Sequence, residues 1–194
     1  MRIFTVSAIL SWILVASAYA AQVEFSADTR VTAAGRTAQS KFFFAGDRWR
    51  MEENLPQGKR VTIFSKDSKA LYVLWPDSKR YVTQPLSEKE LGLLSSGRPG
   101  EEMERTELGR EQIAGYPTVK SRVKYQVRGR GRGMAVTEWF SQRLGVILRA
   151  EAEDGTTTTA LSGIEEKDLD RGLFEVPAEY RLLSARDLVK KSQP

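Results

Sequence analysis

The sequence has no cysteine and no histidine among its 194 residues. Without a thiol there can be no disulfide and no cysteine nucleophile, and Cys/His metal sites are excluded with them. Without an imidazole there is no Ser–His–Asp triad and no histidine acid or base. No G-x-S-x-G nucleophile motif occurs, and no Asp-rich loop has the ligand rhythm of a calcium site. No metal or cofactor is expected, and no enzymatic activity. Long hydrophobic runs are also absent beyond the first twenty residues. The formal net charge of +5 is modest. Stability must come from a hydrophobic core, which a chain of this length can build.

What is present at the N-terminus reads as an export signal. Arg2 is followed by an apolar stretch from Ile9 to Val15, and Ala18-Tyr19-Ala20 supplies small residues at the cleavage positions. Residues 1–20 are therefore expected to be a cleaved signal peptide, placing the protein in the periplasm. Position 21 is Ala rather than Cys, so no lipid anchor is expected. Residues 21–185 read as one domain, and 186–194 as a polar C-terminal tail.

The domain reads as antiparallel strands joined by short turns. Strand-like runs start at Val23, Thr37, Arg48, Arg60, Leu71 and Arg80, separated by turn residues such as Ala34-Gly35 and Gly46-Asp47. Ser87 to Leu94 is the helix candidate, with Ser87 and Glu90 spaced as a capping box. A Ser/Gly/Pro stretch at 95–100 divides the chain into two strand-rich halves. In the second half, Val119, Ser121, Val123, Tyr125 and Val127 alternate with Lys120, Arg122, Lys124, Gln126 and Arg128. Further strands are expected at 134–140, 145–153 and 156–164, then a helical turn at 168–174. The total is about nine or ten strands with one short helix, a mainly β antiparallel meander.

Four features bear on function. The cations Lys120, Arg122, Lys124 and Arg128 could grip phosphate or acidic lipid, or could be a solvated face paired with Glu151 and Glu153. Arg128 to Gly133 is a single short Arg/Gly copy without an aromatic residue, suited to peripheral membrane contact or an acidic partner; no nucleic acid is expected. The carboxylate pairs Glu52-Glu53, Glu101-Glu102 and Glu165-Glu166 are adjacent, so in strands they point to opposite faces. The fourth feature is an apolar stripe: Phe25, Phe42, Phe44, Trp49, Met51, Val61, Ile63, Tyr72, Leu74, Val123, Tyr125 and Trp139. Such residues are either core or the lining of a concave, adaptable surface. One short helix covers too little of so large a sheet, so part of that face is expected to stay open to a ligand.

Arg48-Trp49-Arg50-Met51-Glu52-Glu53, the run from Val61 to Pro76 with its Lys66-Asp67-Ser68-Lys69 turn, and Asp168 to Pro177 resemble segments of the periplasmic outer-membrane lipoprotein carriers, the LolA/LolB-like superfamily. Gly109 to Pro117, Trp139-Phe140 and Leu144 to Ile147 are similar to uncharacterised secreted relatives of those carriers. The resemblance implies an unclosed antiparallel β half-barrel, with one or two short helices over a hydrophobic concave face that holds acyl chains. It departs from the carriers in lacking an amphipathic helix before the first strand and in a short insert after Leu86. On this reading the stripe lines the cavity, and Arg48, Arg50 and Arg80 sit at its rim near a headgroup. The expected function is periplasmic binding or carriage of a lipid or acylated ligand. The alternative is a ligand-free cell-envelope module that docks a protein partner through the basic strand and the Arg/Gly loop.

Overall fold

The computed structural model describes residues 23–95, 97–127 and 133–183. The expected signal peptide, the polar tail and the centre of the Arg/Gly loop lie outside the described residues. Twelve strands form one sheet: β1 (Glu24–Ala33), β2 (Arg36–Ala45), β3 (Arg48–Leu55), β4 (Gly58–Ser65), β5 (Ala70–Trp75), β6 (Arg80–Pro85), β7 (Glu101–Ile113), β8 (Tyr116–Gln126), β9 (Met134–Ser141), β10 (Val146–Ala152), β11 (Thr157–Glu166) and β12 (Arg181–Leu182). Their order is β12-β6-β5-β4-β3-β2-β1-β11-β10-β9-β8-β7, and all neighbours are antiparallel except the pair β12 and β6. β1 lies between β2 and β11, so it welds the two halves of the chain into one sheet. The sheet does not close; its edges are β7 and β12. This is the open, mainly β architecture expected.

Two hairpins show how short turns set the register. Ala34-Gly35 and Ala114-Gly115 each place two successive residues at positive φ, 48° and 73° in the first and 50° and 84° in the second. That left-handed pair matches the twist of the strands it joins. Glycine takes the second position without strain, while alanine at the first carries a cost.

Residues directly opposite in an antiparallel pair share a face. Phe25 faces Phe44, Phe44 faces Trp49, Trp49 faces Phe64, and Phe64 faces Leu71. This row marks the inner face. The next row, Phe43, Arg50, Ile63 and Tyr72, belongs to the outer face.

Different segments cover the two faces. Helix α1 (Glu88–Ser95) and residues 97–100 form a strap across the inner face. The strap begins where the Leu86 amide donates to the Lys69 carbonyl at 2.8 Å. The expected capping box is present: the Ser87 amide donates to Glu90 Oε2 at 2.9 Å, and the Glu90 amide to Ser87 Oγ at 3.4 Å. Leu86 and Leu91 pack on Phe64, Trp49 and Leu71. The Trp49 indole N–H donates to the Leu94 carbonyl at 3.2 Å.

The outer face of β3–β6 is covered by residues 167–183. Leu169, Leu173, Phe174, Val176 and Tyr180 pack on Val61, Ile63 and Leu74, and Phe174 is 4% exposed. Burial of a side chain of that size stabilises by about 2–3 kcal/mol. Asp170 caps the 3-10 turn Arg171–Phe174 through the Gly172 amide at 2.6 Å. Arg50 donates to the Leu173 carbonyl at 2.9 Å, and Arg48 lies over the Phe174 ring at 5.7 Å. Arg48 and Arg50 are therefore clamps for the C-terminal segment rather than rim residues of an inner cavity. Val61, Ile63, Tyr72 and Leu74, expected on one face with Trp49 and Met51, lie on the opposite one.

The outer face of β7–β11 is ionic. Lys120 pairs with Glu111 at 2.7 Å, Lys124 with Glu104 at 2.6 Å, and Arg122 with Glu153. Glu151, an expected partner of the ladder, instead pairs with Arg149. Trp139 is sandwiched between Lys120 and Arg149, each 5.0 Å from the ring centroid, and its indole N–H donates to Glu111 at 2.8 Å. Trp139 thus belongs to this outer face and not to the concave stripe. Together the hydrogen bond from Lys120, the one from Trp139 and the nearby positive charges hold the Glu111 carboxyl below its usual range.

Candidate functional site: a strapped cavity on the inner face

Between the strap and the inner face lie two adjoining chambers of one strapped cavity region. The first holds about 360 Å³ and is walled by Phe42, Phe44, Trp49 and Met51 from β2 and β3, Leu93 and Leu94 from α1, and Val146, Ile147 and Leu161 from β10 and β11. The second holds about 290 Å³ beside Tyr125, Met134, Val136, Ala150 and Ala152. Gly97, Pro99, Ile147 and Thr159 belong to both walls, so the chambers lie side by side under the strap. Volumes of this order suit small-molecule ligands.

Phe25, Phe42, Phe44, Trp49 and Phe64 form a continuous aromatic floor. Phe25 and Phe44 are 5.3 Å apart, Phe42 and Trp49 6.4 Å, and Trp49 stacks on Phe64 at 5.6 Å. Tilted and offset rings at such spacings attract beyond their buried area. The floor is preformed, so a ligand would not have to organise it.

The second chamber contains a buried carboxylate. Glu138 is 2% exposed. The Tyr125 hydroxyl donates to it at 2.7 Å, and Arg105 pairs with it at 2.6 Å. Arg105 also grips Glu102 through two bonds of 2.8 Å, and Arg98 lies 3.5 Å from Glu102. Burial first, and then the hydrogen bond to Glu138, push the Tyr125 phenol well above its usual range. The bond to Glu102 leads the causes that raise the Arg105 guanidinium. Arg105 thus stays a cation and Tyr125 a neutral donor at any physiological pH. Glu138 is a satisfied structural anion, the arrangement a buried charge requires.

Of the expected stripe, Phe42, Phe44, Trp49, Met51 and Tyr125 line the cavity. Phe25 and Val123 are on the inner face but wholly buried, as floor and core. Of the three expected rim cations, only Arg80 remains unassigned. It is exposed on β6 opposite Trp75, away from the cavity walls. Ser87 to Leu94 is the helix expected from sequence, but its Leu93 and Leu94, the strap residues 95 and 97–99, and Ile147, Thr159 and Leu161 were not expected as cavity wall. Beyond the helix the strap has no periodic signal, and β10 and β11 look like ordinary half-buried strands.

A larger open cleft of about 450 Å³ lies beside Arg110, Gln112, Pro117, Val119 and Phe140. It shares no lining residue with the strapped cavity. Among the described residues no group of three carboxylates is placed to hold a metal ion.

Fold and site together define a β half-barrel with a strapped, largely apolar cavity. Residues 27–145 match the family described as a domain of unknown function, DUF4412. The chain belongs to that family. No curated protein matches the sequence. Among solved structures, it is similar to an uncharacterized conserved protein from Thermus thermophilus, with a TM-score of 0.55, 11% identity, and coverage of 84% of this chain and 90% of that one. MucB of Pseudomonas aeruginosa, in its complex with MucA, gives 0.53 at 13% identity over 85% of this chain and 59% of that one. PNGF-II gives 0.53 at 12% identity over 87% of this chain and 32% of that one. The chain thus spans about a third of PNGF-II and about three-fifths of MucB. At these identities the likeness is one of fold.

Proposed function

We propose that this protein is a periplasmic binding protein that holds a lipid or acylated ligand in the strapped cavity and catalyses no reaction. The observation that carries the reading is the preformed aromatic and aliphatic lining beneath the strap, from Phe42, Phe44, Trp49 and Met51 to Leu94, Val146 and Leu161. Each methylene transferred from water into such a lining stabilises the complex by about 0.8 kcal/mol. The resemblance to lipoprotein carriers supports the same reading, and the start of the sequence supports export. The mature protein is then expected to begin at Ala21, which N-terminal sequencing of a periplasmic extract checks.

Native mass spectrometry of the exported protein, followed by lipid analysis of what dissociates, tests the function. A co-purifying lipid near one per chain is expected. Trp49→Ala should lower occupancy while leaving a cooperative unfolding transition. Loss of folding in that variant would make Trp49 plain core, and an apo mass unchanged after incubation with membrane lipids would sink the carrier reading.

A second reading is a ligand-free docking module. MucB, whose fold this chain shares, forms a complex with a protein. Docking through the basic strand would be abolished by salt. The carboxylates already paired with Lys120, Arg122 and Lys124 leave that strand little free positive charge.

A further inference from the structure

We infer that the ligand of the strapped cavity is an uncharged lipid, a long chain bearing a neutral hydrogen-bonding head such as a hydroxyl, ester or amide. The inference rests on the proposed binding function and adds the class of ligand. Among the described residues, only two charged side chains line the two chambers, Arg98 and Glu138. Both have a counter-charge. Glu138 takes Arg105 and the Tyr125 hydroxyl, and Arg98 shares Glu102 with Arg105. An anionic head placed beside Glu138 would meet a fixed carboxylate whose cation is already engaged. A cationic head would have to displace Arg105. Beside Glu138 either charge would lose its water without a new partner, which is the costly case.

The uncharged groups able to recognise a head are hydroxyls. Thr29, Thr157 and Thr159 place hydroxyl-bearing side chains in the walls. Ser95, in the wall of the first chamber, has a buried Oγ with no hydrogen-bond partner among the described residues. A buried hydroxyl without a partner is rare in a folded protein, and a ligand oxygen or N–H supplies what it lacks. The apolar floor takes the chain, and the Ser/Thr hydroxyls take the head.

The test compares three probes of equal chain length on the mature protein: hexadecanol, palmitate and hexadecyltrimethylammonium. Each displaces a fluorescent neutral lipid, below its micellar concentration. Hexadecanol should bind at least about tenfold more tightly than either charged probe, the scale set by one unmet polar group. Glu138→Gln keeps an acceptor for Tyr125 but leaves Arg105 with one carboxylate fewer. In that variant the preference for hexadecanol over palmitate should shrink toward unity, with the cooperative transition retained. Equal binding of all three probes would place the head in solvent and overturn the inference. Palmitate binding most tightly, and losing that advantage in Arg98→Gln, would make Arg98 a headgroup contact and also overturn it. If no probe binds and the fluorescent lipid itself is not taken up, the binding function fails rather than the choice of head.

Discussion

Removing Arg105 should destabilise the protein far more than neutralising the carboxylate it faces. Glu138 is 2% exposed, and its carboxylate is held by the Tyr125 hydroxyl at 2.7 Å and Arg105 at 2.6 Å. Arg105→Met keeps the aliphatic stem but leaves a buried anion with one neutral donor. Breaking such a pair costs about 3–5 kcal/mol when both partners are dry. The Arg105 side chain is 31% exposed, so part of its attraction is already screened by water, and about 3 kcal/mol is the better figure. Glu138→Gln removes the charge, still accepts from Tyr125, and leaves Arg105 its two bonds to Glu102. That change should cost about 1.5 kcal/mol, the low end for one charge-assisted hydrogen bond.

The double variant then carries no buried charge at this point. It should be about 1.5 kcal/mol more stable than the sum of the two single losses predicts, a coupling typical of groups in direct contact. Urea unfolding followed by tryptophan fluorescence, with Trp49, Trp75 and Trp139 as probes, measures all four corners of the cycle. An Arg105→Met loss under about 1 kcal/mol, or strict additivity in the double variant, would show that Arg105 does not neutralise Glu138.

Three further outcomes follow from other parts of the fold. Phe174→Ala should cost about 3–4 kcal/mol in urea unfolding, because the ring is buried against Val61, Ile63 and Leu74; a loss under about 1 kcal/mol would mean the C-terminal segment does not hold that face. Gly100→Ala should unseat the far end of the strap, since a Cβ there would lie 2.5 Å from the Gln126 carbonyl oxygen. Faster hydrogen exchange at 91–98 with a stability loss of about 1–3 kcal/mol is expected, and unchanged exchange would refute it. Glu52 carries the pH prediction. Burial alone would raise its carboxyl, but hydrogen bonds from Lys59 and Arg50, with their charges, hold it lowered. A depressed folded-state value gives stability that is present above the free-carboxyl range near about pH 4.3 and is lost as pH falls through the folded value. Glu52→Gln should therefore flatten the acid limb of the stability profile relative to the parent, and an identical limb would exclude Glu52 as its source.

The strands with one wet and one dry face were legible in the sequence, because their alternation is the pattern that reports burial. Val119 to Val127 is the clear case: Val123 and Tyr125 are buried and Lys124 is exposed. β7 was missed because it is an edge strand, rich in Glu and Arg and exposed along most of its length, so nothing in Glu101–Ile113 alternates. Its two irregularities, at Glu102/Glu104 and Glu107/Gly109, fall on Met103 and Leu108, two exposed apolar side chains that a regular ladder would have paired. The misplaced stripe residues have a different cause. β4 and β5 are apolar on both faces, with Ile63 and Phe64 both fully buried. Alternation cannot say which face a residue takes when both are dry. Only the register against β3, with Trp49 opposite Phe64 and Arg50 opposite Ile63, separates them. Trp139 was misread for a related reason: an indole covered by Lys120 and Arg149 is as buried as one in a core.

The two faces of the first half of the sheet are both apolar, and the inner one carries the strapped cavity. On the outer face, residues 167–183 lower Leu169, Leu173, Phe174, Val176 and Tyr180 onto the strands, and Arg50 ties their backbone down at Leu173. Large side chains come from both the sheet and its cover, so the layer fills. On the inner face the cover is polarised along its length. Leu86, Leu91 and Leu94 pack on Trp49, Phe64 and Leu71 at one end of the strap. Beyond Ser95 the strap includes Gly97, Pro99 and Gly100, and Gly100 sits too close to the Gln126 carbonyl to admit even a methyl group. Of its described residues beyond Ser95 only Arg98 is long, and its guanidinium lies 3.5 Å from Glu102; the others are too short to fill the space over Phe42 and Met51, while anchoring at both ends prevents the strap from collapsing onto them. The void therefore follows from where the strap is large and where it is small.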